Sequence, residues 1–204
     1  EIYIPGKSKK EILFSTYICH PSMANNELSG PMLSIFLSKW IDVIKNRKWS
    51  YRFIFVPETI GSIAYLSKNF KKLKKNVIAG YVLTCLGDER SYSFLPSKFK
   101  NSISDRIARQ VLIKNNISFK EYAWLDSRSD EIQFCSPGID LPVASLMRTK
   151  YGEYPEYHTS LDTFGRVVTY RGLNGSLNLF KKLVNEFEKS VFPIAKYKCE
   201  PQLG

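Results

Sequence analysis

The feature that most constrains this chain is a change of rhythm repeated along its length. Short runs rich in β-branched and aromatic residues alternate with longer segments whose apolar residues recur every three or four positions. Runs at 2–4, 12–18, 52–56, 77–86, 92–95 and 143–147 read as strands, and three of them are apolar nearly throughout, as strands covered on both faces are. Between them, Leu33, Phe36, Leu37, Trp40, Ile41 and Ile44 form one stripe over 29–45, and similar stripes run through 60–75, 103–114 and 173–191. In the last, Leu177, Leu179, Phe180, Leu183, Phe187 and Val191 face inward. Strands alternating with amphipathic helices predict an α/β domain with a mixed, largely parallel central sheet flanked by helices. With 204 residues and 44% apolar content, one domain over 1–204 can bury such a core.

Gly and Pro punctuate the pattern at Pro57, Gly87, Pro137, Gly138 and Pro155, where turns belong. The polar stretch 150–163 is a long connection, and such loops in compact domains tend to carry function. The chain opens on Glu1-Ile2-Tyr3-Ile4-Pro5, without an initiator Met and directly in a strand-like run; it reads as a piece of a longer protein lacking its N-terminal part. No signal peptide and no run of ~18 apolar residues is seen, so a cytoplasmic location is expected. The formal net charge of +11 raises the question of an acidic partner. Much of it is Lys in helical segments such as 70–75, a solvated face, and no nucleic-acid motif accompanies it. Neither a nucleic-acid nor a membrane partner is expected. Cys19, Cys85, Cys135 and Cys199 have no CxxC spacing and are expected to be free thiols without a catalytic part.

The chain has two histidines. They stand in Cys19-His20-Pro21-Ser22, just after the 12–18 strand, and in Glu156-Tyr157-His158-Thr159, within the long loop. A neutral imidazole is a common metal ligand, although a lone His is more often only a hydrogen-bonded polar residue. His20 has the better position, because open α/β sheets bind ligands at the carboxyl ends of their strands. Glu58 occupies the equivalent place after 52–56. There a carboxylate can simply favour the start of a helix; beside a metal it is a general base.

His20, Asn25-Asn26-Glu27-Leu28-Ser29-Gly30, Pro57-Glu58-Thr59-Ile60-Gly61-Ser62, Ser129-Asp130-Glu131 and Tyr157-His158-Thr159-Ser160-Leu161-Asp162 occur in one order. In that order the chain resembles the co-catalytic zinc aminopeptidases, a superfamily that includes bacterial leucyl aminopeptidases, glutamate carboxypeptidases and zinc-dependent glutaminyl cyclases. The resemblance spans about residues 11–165 and is closest to a bacterial aminopeptidase-like branch associated with surface-polysaccharide gene clusters. It implies that His20 binds a first zinc and His158 a second, that Glu58 takes a proton from the metal's water, and that Asp130 hydrogen-bonds within the active site, while Glu131 replaces a common His.

The departures matter too. The carboxylate that bridges two zinc ions in the superfamily falls at Asn26, a neutral and weaker ligand. Two further carboxylate positions fall at Thr59 and Thr84. Asp88 could substitute from the end of the 77–86 strand, or be a turn residue beside Gly87. The expected metal set is therefore His20, Asn26, Asp88 and His158, holding one Zn²⁺ rather than two, with Glu58 and Asp130 as catalytic residues. The expected reaction is hydrolysis of a small peptide or related amide, with Glu131, Asp130, Glu153 or Glu156 available to recognise a substrate amine. The alternative is a degenerate relative that binds a peptide or amino-sugar ligand without turnover.

Overall fold

A computed structural model describes residues 1–191. In chain order it contains β1 (Ile2–Ile4), β2 (Glu11–Tyr17), α1 (Ser29–Asp42), β3 (Ser50–Val56), α2 (Ile60–Asn76), β4 (Val77–Val82), β5 (Ser93–Leu95), α3 (Ile103–Lys114), β6 (Lys120–Glu121), α4 (Glu131–Phe134), β7 (Val143–Met147) and α5 (Tyr170–Lys189). The strands form one seven-stranded sheet in the order β1-β3-β2-β4-β7-β5-β6. Its centre, β3-β2-β4-β7, is parallel throughout, while β1 and β5 run antiparallel to β3 and β7. This is the mixed, largely parallel α/β sheet that the alternation of strand and helix runs predicts.

Strand alternation divides the core in two. Ile12 and Phe14 of β2, Tyr51 and Phe53 of β3 and Tyr81 of β4 face a cluster completed by Leu33, Leu37 and Ile41 of α1, Val111 of α3 and Phe180 and Phe187 of α5. On the other side Leu13, Tyr17, Ile54 and Val82 meet Leu66 and Leu73 of α2 and Phe134 of α4. The sheet is thus sandwiched between helices, as a parallel sheet requires. No helix among the described residues is long and apolar enough to cross a membrane. Of the four cysteines, Cys19, Cys85 and Cys135 are free; Cys199 lies outside the described residues.

One departure from the sequence reading has a physical cause. The strand expected over 77–86 ends at Val82. Thr84 and Cys85 leave the ladder so that the Thr84 hydroxyl donates to the Asn26 carbonyl and the Cys85 N–H to the Asn25 carbonyl. Arg52, the polar interruption in an otherwise apolar strand, is fully buried because its guanidinium grips Glu11 of the neighbouring strand at 2.6 and 3.0 Å. The two-residue β6 and the one-turn α4 carry too few residues to show a period.

Candidate metal centre and general base

The parallel strands β2, β3, β4 and β7 all point their carboxyl ends to one side, and the loops there bring the candidate residues together. His20 follows β2, Glu58 follows β3, Thr84 follows β4 and His158 lies in the loop after β7. The rings of His20 and His158, 138 positions apart in sequence, have centroids 4.8 Å apart. Tyr157 stacks on His158 at 3.9 Å. Four non-glycine residues at this end of the sheet, Ser22, Thr59, Cys85 and His158, have positive φ. That conformation costs of order 1–3 kcal/mol and persists where surrounding contacts over-determine it.

Glu27 organises the His20 side. Residues Ala24–Leu28 form a π-helical turn, an element common at functional sites, which carries Asn25, Asn26 and Glu27 into the interior. Glu27 Oε1 lies 2.6 Å from His20 Nδ1 and accepts from the Asn26 amide at 3.2 Å, while Oε2 accepts the Cys19 N–H at 2.8 Å. A carboxylate facing Nδ1 places the ring proton there and leaves Nε2 with its lone pair, the arrangement found behind metal-binding imidazoles. Cys19 Sγ is 3.3 Å from the same nitrogen. Cys19, His20 and Glu27 each place a ligand-type atom within 4.8 Å of the others, and this N, S and O donor set fits zinc. Burial raises the Cys19 thiol above its ordinary value.

The Asn26 side chain is fully engaged. Its oxygen accepts from the Tyr17 hydroxyl at 3.2 Å, its nitrogen donates to Glu27, and Tyr17 also meets Thr84 Oγ1 at 2.6 Å. Asp162 holds the turn from the His158 loop, its two carboxylate oxygens accepting the Asn25 and Asn26 N–H groups at 2.7 and 3.0 Å. Asp88 is placed differently from the metal role considered for it. Its carboxylate accepts from Arg90 N at 2.8 Å, Thr149 N at 3.0 Å and Thr149 Oγ1 at 2.8 Å, so both oxygens tie the turn after β4 to the end of β7.

Glu58 is half-buried and accepts the Ser129 hydroxyl at 2.5 Å. Burial raises its carboxyl above the ordinary range, opposed by that hydrogen bond and by His20. Asp130 sits behind it. One oxygen accepts Thr59 N at 2.7 Å and the Ser62 hydroxyl at 2.9 Å, which fixes the strained Pro57–Ser62 turn; the other is buried with no partner among the described residues. Burial lifts Asp130 to about 6. Glu131 is saturated by the N–H groups of Arg128 and Ser129 and the hydroxyls of Tyr151 and Ser145, which makes it a structural anchor of the loop. Glu153 pairs with Lys120 and Glu156 with Arg90.

Neither Cys19, Glu27, Ser129 nor Asp162 is assigned a role from sequence. Glu27 and Asp162 lie inside the motifs that carry the resemblance, but only the fold shows that they face His20 and the Asn25–Asn26 turn.

A three-layer α/β fold with this order of residues at the carboxyl edge defines an aminopeptidase-like domain. The chain belongs to the family described as "Domain of unknown function (DUF4910)", whose model matches residues 1–190. It is 43% identical over 205 residues to a Clostridium acetobutylicum protein described as "Putative polysaccharide biosynthesis protein with aminopeptidase-like domain", and covers 100% of this chain but 46% of that protein. The chain therefore spans less than half the length of this curated relative. A solved structure from the same organism, described as a "putative peptidase", superposes with a TM-score of 0.89 at 42% identity over 100% of this chain and 47% of that one. The zinc aminopeptidase BSAP from Bacillus subtilis shares the fold at a TM-score of 0.74 and 17% identity, over 92% of this chain and 49% of that one.

Proposed function

We propose that this chain is the metal-site portion of a hydrolase that cleaves peptide or related amide bonds, using one zinc ion and Glu58 as general base. The observation that carries this reading is the company of the two histidines. Glu27, Asp130, Glu131 and Asp162 are buried and Glu58 half-buried around them, yet none is ion-paired with Lys or Arg among the described residues, in a chain of net charge +11. Such a group of anions and imidazoles suits a cation that is not part of the polypeptide.

His20 through Nε2 and His158 would hold the ion, with Glu27 orienting His20 from Nδ1; when bound, zinc polarises a carbonyl and acidifies water. Glu58 accepts the proton that water loses as it attacks the carbonyl carbon, and returns it to the amine nitrogen as the C–N bond breaks. Its raised carboxyl suits both halves of that transfer. One ion is favoured over two because Asn26, neutral and engaged by Tyr17 and Glu27, does not offset the repulsion between two dications. The name of the Clostridium relative makes an amide linked to a sugar as suitable a substrate as a small peptide. The free thiols suit a reducing cytoplasmic setting.

The second reading, ligand binding without turnover, draws its support from Asn26, Thr59 and Thr84. Elemental analysis of the purified protein, with His20→Ala and His158→Ala beside it, tests the proposal. The expected result is zinc near one per chain, lost in both variants; a wild type that takes up no metal after zinc addition would leave the binding reading in its place.

A further inference from the structure

Arg148, immediately after β7, is an anomaly of a different kind. Its side chain is 7% exposed, Nε is buried without a hydrogen-bond partner, and no carboxylate pairs with the guanidinium among the described residues. Cations around it have partners: Arg90 has Glu156 at 2.9 Å, Lys120 has Glu153 at 3.2 Å, Arg171 has Glu89 at 3.6 Å, and the buried Lys150 donates to the Tyr151 carbonyl at 3.3 Å. An arginine stays charged at any accessible pH, and a buried unpaired charge is costly. The ring of Tyr92, 3.8 Å from the guanidinium carbon, offsets only part of that cost.

Two cavities open on this residue, of about 310 and about 520 Å³, both lined by Glu89, Tyr92 and Arg148. The smaller is also lined by Arg171 and by Gly175, in the interior of α5. A glycine there weakens a helix by about 0.5–1 kcal/mol relative to alanine. A Cβ at this position would come 3.1 Å from Tyr92 Oη and 3.3 Å from Arg148 Nη1, so the glycine lets both groups sit against the helix at the cavity's edge, where a larger side chain would displace them.

We propose that Arg148 anchors a binding site for an oxyanion, the carboxylate or phosphate group of a small ligand, which shares no residue with the histidine cluster. The planar fork offers two parallel N–H groups to such an anion; Tyr92 fixes the plane and Gly175 lets both groups sit at the cavity's edge. The site does not depend on the hydrolase reading.

Isothermal titration of the full chain with sodium phosphate and, separately, with sodium acetate at constant ionic strength tests it. At least one anion is expected to bind saturably at one site, phosphate alone pointing to a phosphorylated ligand and acetate alone to a carboxylate. Arg148→Lys, which keeps the charge but loses the fork, is expected to weaken binding about ten-fold or more. Arg148→Gln and Gly175→Leu should abolish it, and Lys68→Gln, an exposed cation on α2, should leave it unchanged. Circular dichroism identifies any variant that fails to fold, and the remaining two then decide. Absence of saturable binding of both anions to the wild type, or equal binding by the wild type and Gly175→Leu, would overturn the proposal.

Discussion

The two ends of strands β2 and β3 handle buried charge in opposite ways. Near their starts, Glu11 and Arg52 close a two-pronged ion pair inside the protein, joined by Glu1 and the Tyr65 hydroxyl. Past their ends, Glu27, Glu58, Asp130 and Asp162 are held by N–H and O–H donors and one imidazole, with no Lys or Arg among the described residues closing on them. A carboxylate matched to a guanidinium is a settled structural unit. One held by dipoles keeps its net charge and stays open to a cation or a proton. The same strands therefore carry a closed ion pair at one end and carboxylates open to a cation or proton at the other.

Substitutions can break this contrast. Arg52→Met leaves Glu11 buried and unmatched, and is expected to cost about 3–5 kcal/mol in urea denaturation, most of it recovered when Glu11→Leu is added. Glu58→Gln is expected to lower kcat by about 10²–10⁴-fold on any amide substrate the protein turns over, with an unchanged urea midpoint; a variant as active as wild type would remove Glu58 from the reaction. Asp130 sharpens the contrast through pH. Burial raises its carboxyl from 3.8 to about 6, so the folded protein holds this proton more tightly than the unfolded chain does. Its contribution to stability is fully present below about pH 4 and declines as pH rises to about 6, by up to about 3 kcal/mol. Urea midpoints across that range should show the decline in wild type and lose it in Asp130→Asn. The smallest effect belongs to Tyr17→Phe, which removes the hydroxyl between Asn26 and Thr84 for about 1 kcal/mol.

The sheet and its helices were legible because each depends on local pattern, and the same pattern places His20 and Glu58 just after strands. That the His158 ring lies beside that of His20 depends on the path of the long loop after β7, which no local pattern fixes. Apolar period reveals a strand covered on both faces, and a His or Glu directly after such a strand lands at the carboxyl edge whatever the rest of the chain does. Glu27 and Asp88 show where this reasoning stops. Glu27 faces His20 only because 24–28 winds as a π-helical turn, whose extra residue per turn leaves no mark in a helical period. Asp88 follows a strand as His20 does, but the chain turns at Cys85 and delivers its carboxylate to Thr149. Arg52 shows a related limit within a strand: it is buried because its partner, Glu11, stands on the adjacent strand, 41 positions away in sequence.

Asp162 also sets a schedule for the chain. Its carboxylate reaches back 136 and 137 positions to Asn26 and Asn25, and its carbonyl accepts the Ala24 N–H. Closing so long a loop is entropically expensive and comes after local structure has formed. During synthesis the His20 half of the centre can be in place well before its counterpart exists, and the two imidazoles meet only once Asp162 has left the ribosome. Assembly of the two halves would then be a late step of folding, and a chain truncated before residue 162 would lack both this tie and α5, whose Phe180 and Phe187 complete the core against β2, β3 and β4.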